Sequence, residues 1–137
     1  MGLGQAFHMK FKIFFLLLAS LITKASLSQK SDTLYAEMTF IKTSIDTTTI
    51  KVSTPATFKY FFQNTGNMSL TIRYVGSLCN CIIPVWSKET IKAGGWGWVE
   101  CVYDPQGHLG NFSKQVIVYS DARNGSVNLN MKGYTIK

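Results

Sequence analysis

Gln115-Val-Ile-Val-Tyr-Ser-Asp-Ala-Arg-Asn-Gly-Ser-Val-Asn-Leu-Asn-Met-Lys132 decides the fold class of this chain. Val116 and Val118 alternate with Gln115, Ile117 and Tyr119, and Val127, Leu129 and Met131 alternate with Asn128, Asn130 and Lys132. Period-two alternation turns one face of a strand inward and leaves the other wet, and residues 121–125 supply the turn between the two runs. The same pattern extends outward from this pair. Val99, Cys101 and Tyr103 oppose Trp98, Glu100 and Val102 before Asp104-Pro105 closes the run. Phe58, Tyr60 and Phe62 alternate with Lys59, Phe61 and Gln63 and stop at Asn64-Thr-Gly-Asn67. Leu70 and Ile72 alternate with Thr71 and Arg73, losing register near Gly76 as at a bulge. Weaker strand signals lie at 34–41 and 47–52, and no window after residue 29 keeps helical spacing for three turns. About seven short strands predict an all-β immunoglobulin-like β-sandwich, with an open barrel as the alternative. The alternating apolar residues are its expected core.

Lys10 and Lys12 precede the apolar run 13–22, whose ten residues fit a signal h-region of about 7–15 and fall short of the about 20 that span a bilayer. Ser26 and Ser28 satisfy the small-x-small rule and make Gln29 the first mature residue, with cleavage after Ala25 as the alternative. No Cys stands near this site to accept a lipid. The expected organisation is a signal peptide at 1–28, amino-terminal strands at 29–53 and the sandwich core at 54–137. It places a single domain outside the cytoplasm, in the periplasm, cell envelope or medium, with no transmembrane span in the mature chain. Without Lys10, Lys12 and Lys24, 11 of the 14 basic residues remain against 7 acidic, a balance of +4. The remaining lysines are scattered singly, which argues against a nucleic-acid footprint. A hydrophobic content of 46% excludes disorder, and 11 Gly, 3 Pro and 3 Cys exclude collagen-like, low-complexity and disulfide-dense classes.

Catalysis has little to work with. His108 is the one histidine after the signal, Glu89, Glu100 and Asp104 are dispersed, and no nucleophile, metalloprotease or phosphate-loop motif is present. We therefore expect no enzyme, with Asp104 a turn-former ahead of Pro105. Cys79 and Cys81 are two positions apart and could act as soft ligands for copper or zinc. A disulfide between them needs a tight turn, because alternate residues of an extended chain are about 6.6–7.2 Å apart. Pairing either with Cys101 would leave one free thiol. If strands alternate in direction, the Cys79 and His108 loops share one end, so Cys79, Cys81 and His108 form a candidate thiolate and imidazole site. The structural alternative is a cysteine pair or bridge with Cys101 as a buried small hydrophobe.

Trp96 and Trp98 share a face opposite Val99 and Cys101 on a strand, pointing outward, and with Trp86 are the candidate contacts for a protein partner or a glycan. Packing under the amino-terminal strand is the alternative. Asn67-x-Ser69, Asn111-x-Ser113 and Asn124-x-Ser126 fit the glycosylation pattern and, with Asn64, read as turn chemistry.

Phe58-x-Tyr60-x-Phe62-x-Asn64-Thr65-Gly66, Leu70-x-Ile72, Cys79-Asn80-Cys81-x-x-Pro84-x-Trp86-x-Lys88, Val99-x-Cys101-x-Tyr103-Asp104-Pro105, Gly110-x-Phe112-x-Lys114-x-Val116-x-Val118-x-Ser120 and Leu129-x-Met131-x-Gly133 follow in that order. This series, over residues 54–134, resembles the secreted bacterial family called domain of unknown function fifteen-seventy-three, akin to major-sperm-protein and Hydin-type domains. The resemblance implies an immunoglobulin-like fold, an envelope location, no established enzymatic activity and no substrate. It marks Asn64, Gly66, Pro84, Asp104, Pro105, Gly110 and Gly133 as structural positions. Leu78, Asn80 and Ile82 depart from the family's usual Ser, Gly and Thr around the cysteines, making that loop more apolar, and Asp121 stands where Asn is common. Two functions follow as expectations: a binding or scaffolding module for an envelope protein or glycan, or a metal-handling or thiol-redox protein built on the Cys-x-Cys loop.

Overall fold

A computed structural model describes residues 33–47 and 49–137. The expected signal peptide and its cleavage site lie outside the described residues. These hold nine strands in two sheets and no helix: β1 (Met38–Phe40), β2 (Ser44–Asp46), β3 (Ile50–Lys51), β4 (Ala56–Asn64), β5 (Ile72–Ser77), β6 (Ile82–Trp86), β7 (Trp96–Tyr103), β8 (Gly110–Ser120) and β9 (Ser126–Ile136). Hence no helix among them is long and apolar enough to cross a membrane. The first sheet runs β1-β4-β7-β6, all antiparallel. The second runs β2-β9-β8-β5, with β3 also on β9, and β2 and β3 lie parallel to β9.

The core is what the alternation marks. Phe58, Tyr60, Phe62, Val99, Cys101 and Tyr103 from one sheet meet Ile72, Val116, Val118, Leu129 and Met131 from the other, all buried. The fully buried Tyr60 donates its hydroxyl to the Asn130 carbonyl at 2.7 Å, so one polar bond joins the two sheets through the core.

Three differences from the sequence reading have plain causes. The count is nine strands and not seven because β2 is a three-residue piece and β6, Ile82-Ile-Pro-Val-Trp86, has no clean alternation. Its Pro84 is tolerated because β6 is an edge strand. The register break in β5 falls between Ile72 and Tyr74, earlier than Gly76, and Leu70 belongs to an isolated bridge with Ile91. Asn111 is no turn residue: it is the second residue of β8, opposite Tyr134, since β8 starts well before its apolar alternation does.

The amino-terminal segment 33–38 is held by asparagines that the sequence presented only as turn-formers. The Asn67 side chain accepts from the Tyr35 N–H and donates to the Thr33 carbonyl. Asn124 accepts from the Met38 N–H and donates to the Met38 carbonyl. Asn64 is buried and makes four bonds, accepting from the N–H groups of Glu37 and Gly66 and donating to the carbonyls of Met68 and Ile91. Arg123 completes the clamp, pairing with Glu37 at 2.8 Å and stacking on Tyr35.

Candidate functional site

The loop between β5 and β6 carries Cys79 and Cys81. Ser77 shapes it: its hydroxyl donates to the Cys79 carbonyl and accepts from the Cys79 N–H. The resulting turn draws the two Cα atoms to 5.2 Å, inside the range a bridge tolerates, and the sulfurs are joined in a disulfide. Cys79 is half-buried and Cys81 buried. Cys101 is a free, buried thiol on β7, and burial, with a smaller push from the Glu100 charge, raises its pKa to about 12. It therefore behaves as a small core hydrophobe, bridged to neither partner. Of the two alternatives for these cysteines the structure has the disulfide: paired sulfurs offer no thiolate, and among the described residues no three His, Cys, Asp or Glu side chains gather to hold a metal. Cys79, Cys81 and His108 thus make no metal cluster, although Cys81 and His108 do line one pocket at a shared end of the sandwich.

His108 is held there by a turn that Asp104 and Pro105 build. The Asp104 carboxylate accepts from the Gln106 N–H at 2.9 Å, Pro105 is fully buried, and its carbonyl accepts from the His108 N–H. Asp104 also donates its N–H to the Cys81 carbonyl, tying the turn to the cysteine loop. Gly110 follows with φ +99°, a conformation glycine favours. Two other motif glycines are set by close approach. A Cβ at Gly66 would strike the backbone of Tyr35 and Ala36, and one at Gly133 would lie 2.6 Å from Thr47 Cγ2 and 2.8 Å from the Phe112 ring. Asp121 accepts from the Thr71 N–H and pairs with Arg73 at 3.2 Å.

The second constellation is the outward face of the first sheet. Opposed residues of antiparallel strands share a face, and the register stacks Gln63 with Trp96, Phe61 with Trp98, Lys59 with Glu100 and Val85, and Thr57 with Val102 and Ile83. Ile41 extends the row by donating its N–H to the Phe61 carbonyl. Trp96 is 59% exposed, Ile83 and Ile41 are each 65%, and Phe61 and Val85 are also exposed. Lys59 crosses this face, 3.3 Å from Glu100 and 4.7 Å above the Trp98 ring. Trp86, Trp96 and Trp98 all border a shallow concavity of about 690 Å³ that residues 87–92 and Gly95 also line, with Lys88 over the Trp86 ring. Phe61 stands where its alternation with Lys59 and Gln63 places it, on the wet face, whereas Ile41, Val85 and Ile83 were not legible as surface residues, because Ile41 ends a weak strand signal and β6 has no clean alternation.

The architecture defines an immunoglobulin-like β-sandwich domain. The chain belongs to the family described as Protein of unknown function (DUF1573), whose model matches residues 38–135 and so takes in β1, ahead of the 54–134 stretch that carries the sequence resemblance. Among solved structures it is similar to the ASH/PapD-like domain of human CEP192, at 12% identity and TM-score 0.62, covering 75% of this chain and 87% of that one. A protein of unknown function from Porphyromonas gingivalis W83 aligns at 15% identity and TM-score 0.65, covering 80% of this chain and 51% of that one. The YadV chaperone aligns at 10% identity and TM-score 0.53, covering 73% of this chain and 52% of that one. The chain thus spans about half the length of the latter two. No curated protein sequence matches it. At these identities the likeness is one of fold.

Proposed function

We propose that the chain is a non-enzymatic recognition module, exported to the cell envelope, that holds a partner protein or glycan on the outward face of its first sheet. The observation that supports this is the run of exposed apolar groups there: Ile41, Phe61, Trp96, Val85 and Ile83 on one face. Exposed apolar groups gathered on one face and bordered by polar ones are the mark of an interaction surface, and tryptophans beside lysines suit both protein anchoring and sugar stacking. The chaperone in the name of one structural neighbour fits a binding role without naming a ligand. The test is a Phe61→Ser/Trp96→Ser variant, compared with wild type by cross-linking in the envelope fraction and on a glycan array. Loss of the wild-type partner or glycan with an unchanged melting profile supports the reading. Undiminished recovery of the same species refutes it.

A second reading rests on the Cys79–Cys81 disulfide. An external dithiol could attack Cys79, release Cys81 as a thiolate and leave as a disulfide once the loop is a dithiol. Cys79→Ser with Cys81→Ser would abolish such exchange while leaving partner recovery intact.

A further inference from the structure

At the other end of β7 from Trp96, about 20 Å along the strand, the sandwich opens into a pocket of about 400 Å³ between the sheets. Its walls come from Tyr103 and Cys81 on one side and from Phe112, Lys114 and Thr135 on the other, with His108 in the loop that crosses the end. Thr135 is 1% exposed, and its Oγ1 is a buried side-chain polar atom with no hydrogen-bond partner among the described residues. Such a hydroxyl is costly to keep unless it serves something. Opposite Thr135 in the register stands Gly110, which brings no side chain to fill the space. Lys114 shares the inward face of its strand pair with Met131, and its ammonium lies 5.8 Å from the Tyr103 ring centre. None of the lining residues is acidic. A cation and an idle hydroxyl above aromatic walls are the complement of an anion carrying an apolar group.

We infer that this pocket binds a carboxylate attached to an apolar group, the carboxylate against Lys114 and Thr135 and the apolar part against Tyr103 and Phe112. A carboxylate is the oxyanion that one ammonium neutralises, and its second oxygen is free to accept a hydrogen bond from the hydroxyl. The volume is at the small end of the about 300–1,000 Å³ typical of small-ligand sites. The same chemistry is offered by a free organic acid and by the terminus of a peptide chain. The site is separate from the aromatic face, so it neither needs nor supports the function proposed above.

The test is amide chemical-shift titration of the protein with 3-phenylpropionate, with N-acetylphenylalanine and with the uncharged amide of each. The expected result is saturable shifts at residues 108–114 and at Thr135 with at least one acid, at affinity tenfold or more above its amide. Preference for 3-phenylpropionate marks a free acid, and preference for N-acetylphenylalanine marks a chain terminus. Lys114→Met should weaken the preferred acid tenfold or more. Thr135→Val should weaken it severalfold while making the free protein more stable, which separates lost binding from lost folding. The inference is overturned if acid and amide titrate alike, if neither acid shifts these residues up to about 10 mM, or if both variants bind as wild type does.

Discussion

Replacing Asn64 should unfasten the amino-terminal segment from the sandwich. Its amide serves four backbone groups, and three of them, the N–H of Glu37, the N–H of Gly66 and the carbonyl of Met68, have no other bond among the described residues. The Ile91 carbonyl also accepts from the Leu70 N–H, so it is orphaned only in part. A group left unsatisfied costs about 1–3 kcal/mol. Three of the four bonds are partly wet, so the low end applies to them, and Asn64→Ala should cost about 4 kcal/mol. That is a large share of the about 5–15 kcal/mol that holds a domain together, and it should move the urea midpoint by about 2–3 M. Asn64→Asp sharpens the test. Asp suits a turn as well as Asn does, yet here it would aim a carboxylate oxygen at the carbonyls of Met68 and Ile91. It should be at least as damaging as Ala. Asn67→Ala, whose two bonds are exposed, should cost under about 1 kcal/mol. If Asn64→Asp unfolds within about 1 kcal/mol of wild type, Asn64 is a turn-former only and its four bonds do not fasten the amino-terminal segment.

Alkaline pH should weaken the fold. Burial raises the pKa of Tyr60, of Cys101 and of Tyr103, so the native state keeps protons that the unfolded chain releases. The stability from these groups is full below about pH 8.5 and falls as pH climbs toward 12. Urea unfolding at pH 7, 9 and 10.5 should show that decline, and a flat profile would contradict it. Native Cys101 should resist thiol reagents that label it at once in denaturant. Gly97→Ala would drive a Cβ into the buried Phe62 ring and to 2.5 Å from Ile91 Cδ1, costing about 1–3 kcal/mol; a melting temperature equal to wild type would show unexpected slack there. Reducing Cys79–Cys81, separated by two positions, removes a loop constraint of only about 1.5 kcal/mol, so the reduced protein should remain folded by circular dichroism.

The alternation in Phe58–Phe62, Val99–Tyr103, Val116–Val118 and Val127–Met131 was enough to determine the sandwich and most of its core, because a strand buried on one face writes a period of two into its own sequence. Local sequence could also say that Trp96 and Trp98 share a face, since that depends only on spacing. What it could not contain is which distant pieces meet. Whether Cys79 pairs with Cys81 or with Cys101 turned on a loop that Ser77 bends. Asn64 looks like any turn asparagine until Glu37 and Ile91 are brought to it, and the exposed row from Ile41 to Ile83 exists only once β1, β4, β7 and β6 are laid side by side. Thr135 and Lys114 stand 21 residues apart and become neighbours in a pocket only through the β8–β9 register and the loop that carries His108. Period and turn chemistry are properties of a few adjacent residues. Partners, pockets and faces are properties of the closed sheet, where residues remote in sequence share one few-ångström neighbourhood.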